Sequence, residues 1–122
     1  MLWLPDKKLA ITGDLAFHQR LLPVFEETDT GAWIETWAKF EALQPTHIIP
    51  GHGEPTTDIN VLTRYTHDYL AYMRKQVQQL LDDGGTLQDA YNIDQSAYAH
   101  LDTFNELALR NAGMIFRAME FE

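Results

Sequence analysis

The chain has 122 residues and contains no cysteine. This absence excludes disulfide bonds, thiolate zinc sites and a cysteine nucleophile. Basic residues are also scarce, since nine Lys and Arg stand against 18 Asp and Glu and give a formal net charge of −9. Binding to a nucleic-acid backbone or to an anionic membrane surface requires clustered Lys and Arg, so this charge argues against both partners. Its main expected consequence is solubility.

Long apolar runs are missing too, because no stretch approaches the ~20 residues of a membrane span. The N-terminus turns polar at Pro5 and Asp6, so we expect no signal peptide and a soluble protein of the cytoplasm or periplasm. The sequence has no phosphate-binding loop, no serine nucleophile elbow and no Walker-type lysine. A hydrophobic content of 45% is ordinary for a globular protein. The length therefore predicts one domain with one core.

The first half of the chain carries the predicted strands. Apolar runs at 1–4 and 9–12 flank a polar turn and predict a β-hairpin. Gly13 and Asp14 are expected to end the second of these strands. A further apolar run at 47–49 predicts a strand too apolar to face solvent.

The rest of the chain is expected to be mainly helical. Apolar residues at spacings of three and four predict helices at about 30–43, 58–81, 86–91 and 101–119. The predicted class is therefore α/β or α+β, a short sheet with packed helices. We expect a single partial domain over 1–122, with an α/β part at 1–57 and a helical extension at 58–122.

Two candidate metal ligands follow predicted strands. Asp14 comes after the strand at 9–12, and His52 comes after the strand at 47–49. Ligands of open α/β sheets gather at the carboxyl ends of strands, and carboxylate and imidazole suit zinc, iron or manganese. His18 lies four residues after Asp14 and is either a substrate-binding residue at the mouth of the site or a loop histidine.

These two strand ends resemble the C-terminal half of the metallo-β-lactamase fold superfamily, which includes glyoxalase II-like and β-lactamase-like hydrolases. The matching pieces are TGDL at 12–15, an intervening helix, and IPGHG at 49–53. The resemblance implies the second half of an αββα sandwich. It also implies that Asp14 bridges two metal ions, with zinc expected, and that His52 is a terminal ligand of one of them.

The chain departs from that family at its principal signature, a His-x-His-x-Asp-His loop. The sequence contains five histidines and none of them lie two apart: His18, His47, His52, His67 and His100. The resemblance thus implies the C-terminal portion of a hydrolase whose metal-bound hydroxide attacks an ester, thioester or lactam-type bond. The missing N-terminal half would supply the other ligands, so no catalytic residue is assigned here and the chain alone is expected to be inactive.

The alternative is a non-catalytic half-fold that associates with itself as a homodimer or higher oligomer. Removing one half of a two-sheet sandwich uncovers an apolar face and a sheet edge, and both features favour association. Among the other side chains, Trp33, Trp37 and Phe40 are expected in the core. Arg20 is expected on a solvated face rather than against an anionic substrate.

Overall fold

A computed structural model describes all residues 1–122 and gives an α+β fold, as predicted. Its strands are β1 (Leu2–Leu4), β2 (Leu9–Phe17) and β3 (His47–His52). Its α-helices are α1 (Thr30–Ala42), α2 (Ile59–Tyr65), α3 (His67–Asp82), α4 (Leu87–Tyr91) and α5 (Phe104–Met119). None of these helices combines the length and the apolar character that crossing a membrane requires.

The sheet has the order β1-β2-β3, with β1 antiparallel and β3 parallel to β2. The predicted hairpin is confirmed, but β2 is longer than expected and continues through Asp14 to Phe17. Asp14 therefore lies inside the strand rather than at its end. Gly13 has a φ of +56°, and the register with β3 is irregular on both sides of it. This glycine lets β2 bend and stay paired beyond the predicted end.

One face of the sheet is covered by α1. Trp37 and Phe40 of this helix are fully buried against Ala10 of β2 and Ile48 of β3. The prediction that these two aromatic residues belong to the core is confirmed. The helix begins at Thr30, as expected. Asp29, the residue before it, caps the helix, because its side chain accepts a hydrogen bond from the Ala32 amide.

The opposite face of the sheet is open. Leu2, Ile11 and Ile49 lie opposite one another across the three strands, and their exposed fractions are 54%, 37% and 38%. The expectation of a wholly buried third strand is therefore wrong for Ile49 and for His47. Side chains of a strand alternate between two faces, and only one face of this sheet has a helix on it.

The hydrophobic residues form two clusters, a smaller one between α1 and the sheet and a larger one elsewhere. The larger cluster lies between α3, α4 and α5 and the segment that follows β2. The predicted long helix over 58–81 is wrong, because Thr66 separates α2 from α3. The Thr66 hydroxyl accepts a hydrogen bond from the Phe17 amide and lies 3.4 Å from the Phe17 carbonyl oxygen. The break thus fixes the end of β2. The last helix begins at Phe104, after Thr103 at a φ of +64°.

Candidate functional site

Asp14 and His52 meet on adjacent parallel strands. The Asp14 Oδ1 and the His52 Nε2 are 3.5 Å apart, and the two side chains are 82% and 39% exposed. Two ligand atoms at about 2.0–2.2 Å from one tetrahedral zinc ion lie roughly 3.3–3.6 Å apart. The observed separation therefore fits two ligands of one metal ion.

Glycines permit this close approach. A side-chain carbon at Gly51 would collide with the Gly13 backbone and lie 2.9 Å from the Asp14 Oδ1. Gly53 has a φ of +90°, and a side-chain carbon there would overlap the His18 carbonyl group. Glycine is therefore required at both positions of the PGHG turn for steric reasons, because the backbone there lies very close to the backbone of β2 and of the residue after it.

Two side chains orient the His52 ring. The Phe17 ring stacks on it, with centroids 5.0 Å apart and planes 14° apart. The Arg20 Nη1 lies 3.1 Å from the His52 Nδ1, so the expectation of a solvated Arg20 is wrong. A guanidinium group only donates hydrogen bonds. This contact therefore requires a lone pair on Nδ1 and places the proton of a neutral ring on Nε2, towards Asp14.

That tautomer bears directly on metal binding. A metal ion at the His52 Nε2 needs the lone pair of that nitrogen, and the neutral ring then carries its proton on Nδ1. Arg20 must leave Nδ1 before this tautomer forms. The Arg20 Nε is buried and has no hydrogen-bond partner, so the guanidinium group is incompletely satisfied in its present position.

His18 makes separate contacts beside the site. Its Nδ1 lies 2.7 Å from the Glu54 carbonyl oxygen, to which it donates, and its amide donates to the His52 carbonyl oxygen. These bonds fasten the chain after β2 to the end of β3. The substrate-binding role of His18 stays a prediction. No group of three or more His, Cys, Asp or Glu side chains in this structure is arranged to hold a metal ion.

A cleft of about 370 Å³ opens beside Asp14. Its apolar lining comes from Leu15, Phe17, Pro23, Phe25 and Trp33, and of these Phe17 is almost fully buried. Sequence reasoning missed this cleft, because its walls come from a strand, an irregular segment and a helix. The helical periodicity predicts Trp33 in the core, where this half-buried ring also packs.

Hydrogen bonds shape the walls of the cleft. The Trp33 indole nitrogen donates to the Leu15 carbonyl oxygen at 2.9 Å, and the Phe17 and Trp33 rings are tilted by 54° with centroids 6.1 Å apart. At the rim, the Phe25 amide donates to the Thr28 hydroxyl at 3.0 Å. The cleft is therefore largely formed before any ligand arrives.

Compared with known proteins, the chain matches no protein-family model. No curated protein matches it significantly either.

Proposed function

We propose that this chain is the C-terminal portion of a metal-dependent hydrolase with the metallo-β-lactamase fold. The observation that carries the proposal is the 3.5 Å separation of the Asp14 Oδ1 and the His52 Nε2, which suits two ligands of one zinc ion. The TGDL and IPGHG strand ends support it further. A bound pair of zinc ions would supply a hydroxide nucleophile and polarise a substrate carbonyl of an ester, thioester or lactam.

The residues of this chain would form only part of that centre. Asp14 is mostly exposed, so its second oxygen is accessible to a second ion, which suits the bridging role. His52 would be a terminal ligand of one ion. The remaining ligands would come from the N-terminal half, and iron or manganese are chemical alternatives to zinc.

Zinc titration of the purified chain by isothermal calorimetry tests the proposal. Asp14→Asn and His52→Gln should each weaken zinc binding by about tenfold or more, since even the loss of an outer-shell partner costs 10–100-fold. Asp83→Asn and His47→Gln are matched controls, because both side chains are exposed, one after α3 and the other at the opposite end of β3 from His52. Equal zinc affinity in the site variants and the controls would refute the proposal.

Arg20 provides a second test of the same site. Arg20→Gln removes a cation beside the proposed ligands and offers an amide oxygen that can accept a hydrogen bond from the protonated His52 Nδ1. We therefore expect this variant to bind zinc more tightly than the unaltered chain, by about fivefold, the effect of one charge ~4 Å away in water. Weaker binding would show that Arg20 supports the metal-binding geometry instead.

A second candidate function is a non-catalytic module that associates with itself. The open apolar row of Leu2, Ile11 and Ile49 favours it, because two such sheet faces can pack on each other. Light scattering should then give a multiple of 14.0 kDa. Ile49→Lys should yield monomers, whereas the control Leu109→Lys, at a 58% exposed position on α5, should not. A monomeric unaltered chain would exclude this candidate.

A further inference from the structure

We propose that the cleft beside Asp14 binds an uncharged aromatic group, the part of the substrate next to the bond that is cleaved. This inference rests on the proposed hydrolase function, because it names the class of substrate that the same site would take. The size, the lining and the position of the cleft support it.

The size of the cleft suits a ring with a short linker. Its volume is about 370 Å³, whereas a closed apolar cavity of ~150 Å³ already accepts benzene. The accessible aromatic rings of the lining are those of Phe25 and Trp33, next to Pro23, whereas Phe17 is only 2% exposed and supports them from within the core. Tilted and offset ring arrangements are the ones that aromatic pairs prefer, and the half-buried Trp33 and the exposed Phe25 are the rings that a ligand can reach in this way.

The charge of the lining selects a neutral ligand. Asp14 is the only ionisable side chain among the lining residues, and its polar neighbours are the hydroxyls of Thr28 and Thr36. A carboxylate on the ligand would face this aspartate in a chain whose formal net charge is −9. An aryl ester, thioester or lactam without a nearby anionic group meets these conditions.

The position of the cleft links binding to the metal ligands. Phe17 is one of the lining residues of the cleft although it is almost fully buried, and its ring stacks on His52 at 5.0 Å between centroids. A ring held in the cleft would therefore lie about one ring away from His52 and next to Asp14. Holding a substrate in this way places its adjoining carbonyl near the proposed metal site, which is how positioning contributes to catalysis.

The experiment uses the metal-free chain in EDTA and follows backbone amide signals by NMR. The probes are phenylacetamide, the anionic phenylacetate and the ring-free acetamide. We expect phenylacetamide to shift amide signals of residues 15–36, acetamide to shift none of them, and phenylacetate to bind about fivefold more weakly because of Asp14. In Asp14→Asn the two aromatic probes should bind about equally.

Variants at exposed phenylalanines provide the matched comparison. Phe25→Ala, at a 42% exposed position, should weaken phenylacetamide binding by at least about fivefold. Phe121→Ala, at an 87% exposed position, should leave it unchanged. Equal affinity in these two variants, or shifts outside the cleft, would overturn the inference. The NMR experiment contains no metal, so a failure of the aromatic probe to bind in the cleft is distinct from a failure of zinc binding in the titration above.

Discussion

Asn111 on α5 fixes the segment that forms one wall of the cleft. Its Nδ2 donates to the Leu22 carbonyl oxygen at 2.7 Å and to the Tyr69 hydroxyl at 3.2 Å. Its Oδ1 accepts a hydrogen bond from the Val24 amide at 2.8 Å. Asn111, Leu22 and Tyr69 have no exposed surface, and Val24 is 1% exposed. Pro23 is thus held between two anchored neighbours.

Replacing Asn111 with alanine should destabilise the chain strongly. The substitution leaves the Leu22 carbonyl and the Val24 amide without partners, and each buried unsatisfied group costs about 1–3 kcal/mol. We expect a loss of about 3 kcal/mol from a total free energy of unfolding of roughly 6–18 kcal/mol for a chain of this length. With an m-value of about 1.5 kcal/mol per M, the urea midpoint should fall by about 2 M.

Asn105 is the matched control for Asn111, because it lies on the same helix and is exposed. Asn105→Ala should change the free energy of unfolding by less than about 0.5 kcal/mol. Urea unfolding followed by far-UV circular dichroism measures both variants. If Asn111→Ala lowers the midpoint no more than Asn105→Ala, the hydrogen bonds of Asn111 do not hold this segment. In the folded Asn111→Ala protein, phenylacetamide should also bind more weakly.

Two further predictions concern the PGHG turn and the C-terminal ion pair. Gly53→Ala should lower the free energy of unfolding, measured in urea, more than Gly84→Ala does. Both glycines have positive φ, but only at Gly53 would the new methyl group overlap the His18 carbonyl group. Equal losses of unfolding free energy in the two variants would exclude the steric cause. Arg74 donates two hydrogen bonds of 3.0 and 2.6 Å to Glu122, and these bonds lower the pKa of that carboxyl from its ordinary value. This contribution is complete above the unfolded pKa and is lost as pH falls through the folded pKa, so Glu122→Gln should cost about 0.2–1 kcal/mol at pH 7 and nothing near pH 2. A cost independent of pH would contradict the assigned ion pair.

Much of the fold could be predicted from local patterns. The hairpin of β1 and β2, helix α1 and the short helix α4 follow from periodicity and turn residues close in sequence. At α4, the Thr86 and Asp89 side chains form the reciprocal capping bonds that such a sequence favours. The predictions were wrong where a contact distant in sequence decides the local structure. At Thr66, the periodicity predicts one continuous helix, but the helix is interrupted where the Thr66 hydroxyl forms a hydrogen bond with Phe17.

The candidate site was predicted only in part, for a similar reason. Asp14 and His52 have a local signal, because each lies beside glycine in a segment with strand character. Arg20 and Phe25 have none, since both lie in the irregular segment between β2 and α1. Such a segment takes its path from contacts with the helical core rather than from its own periodicity.

The sequence by itself determined the α+β class and the chemical types of the two candidate ligands, because side-chain period and chemical identity are local properties. Only the tertiary structure decided that Asp14 and His52 lie 3.5 Å apart, that Arg20 contacts His52, and that a cleft opens beside them. The separation of these two side chains depends on strand pairing between residues far apart in the sequence. The cleft depends on how α1 and the segment after β2 pack around it, which no local pattern specifies.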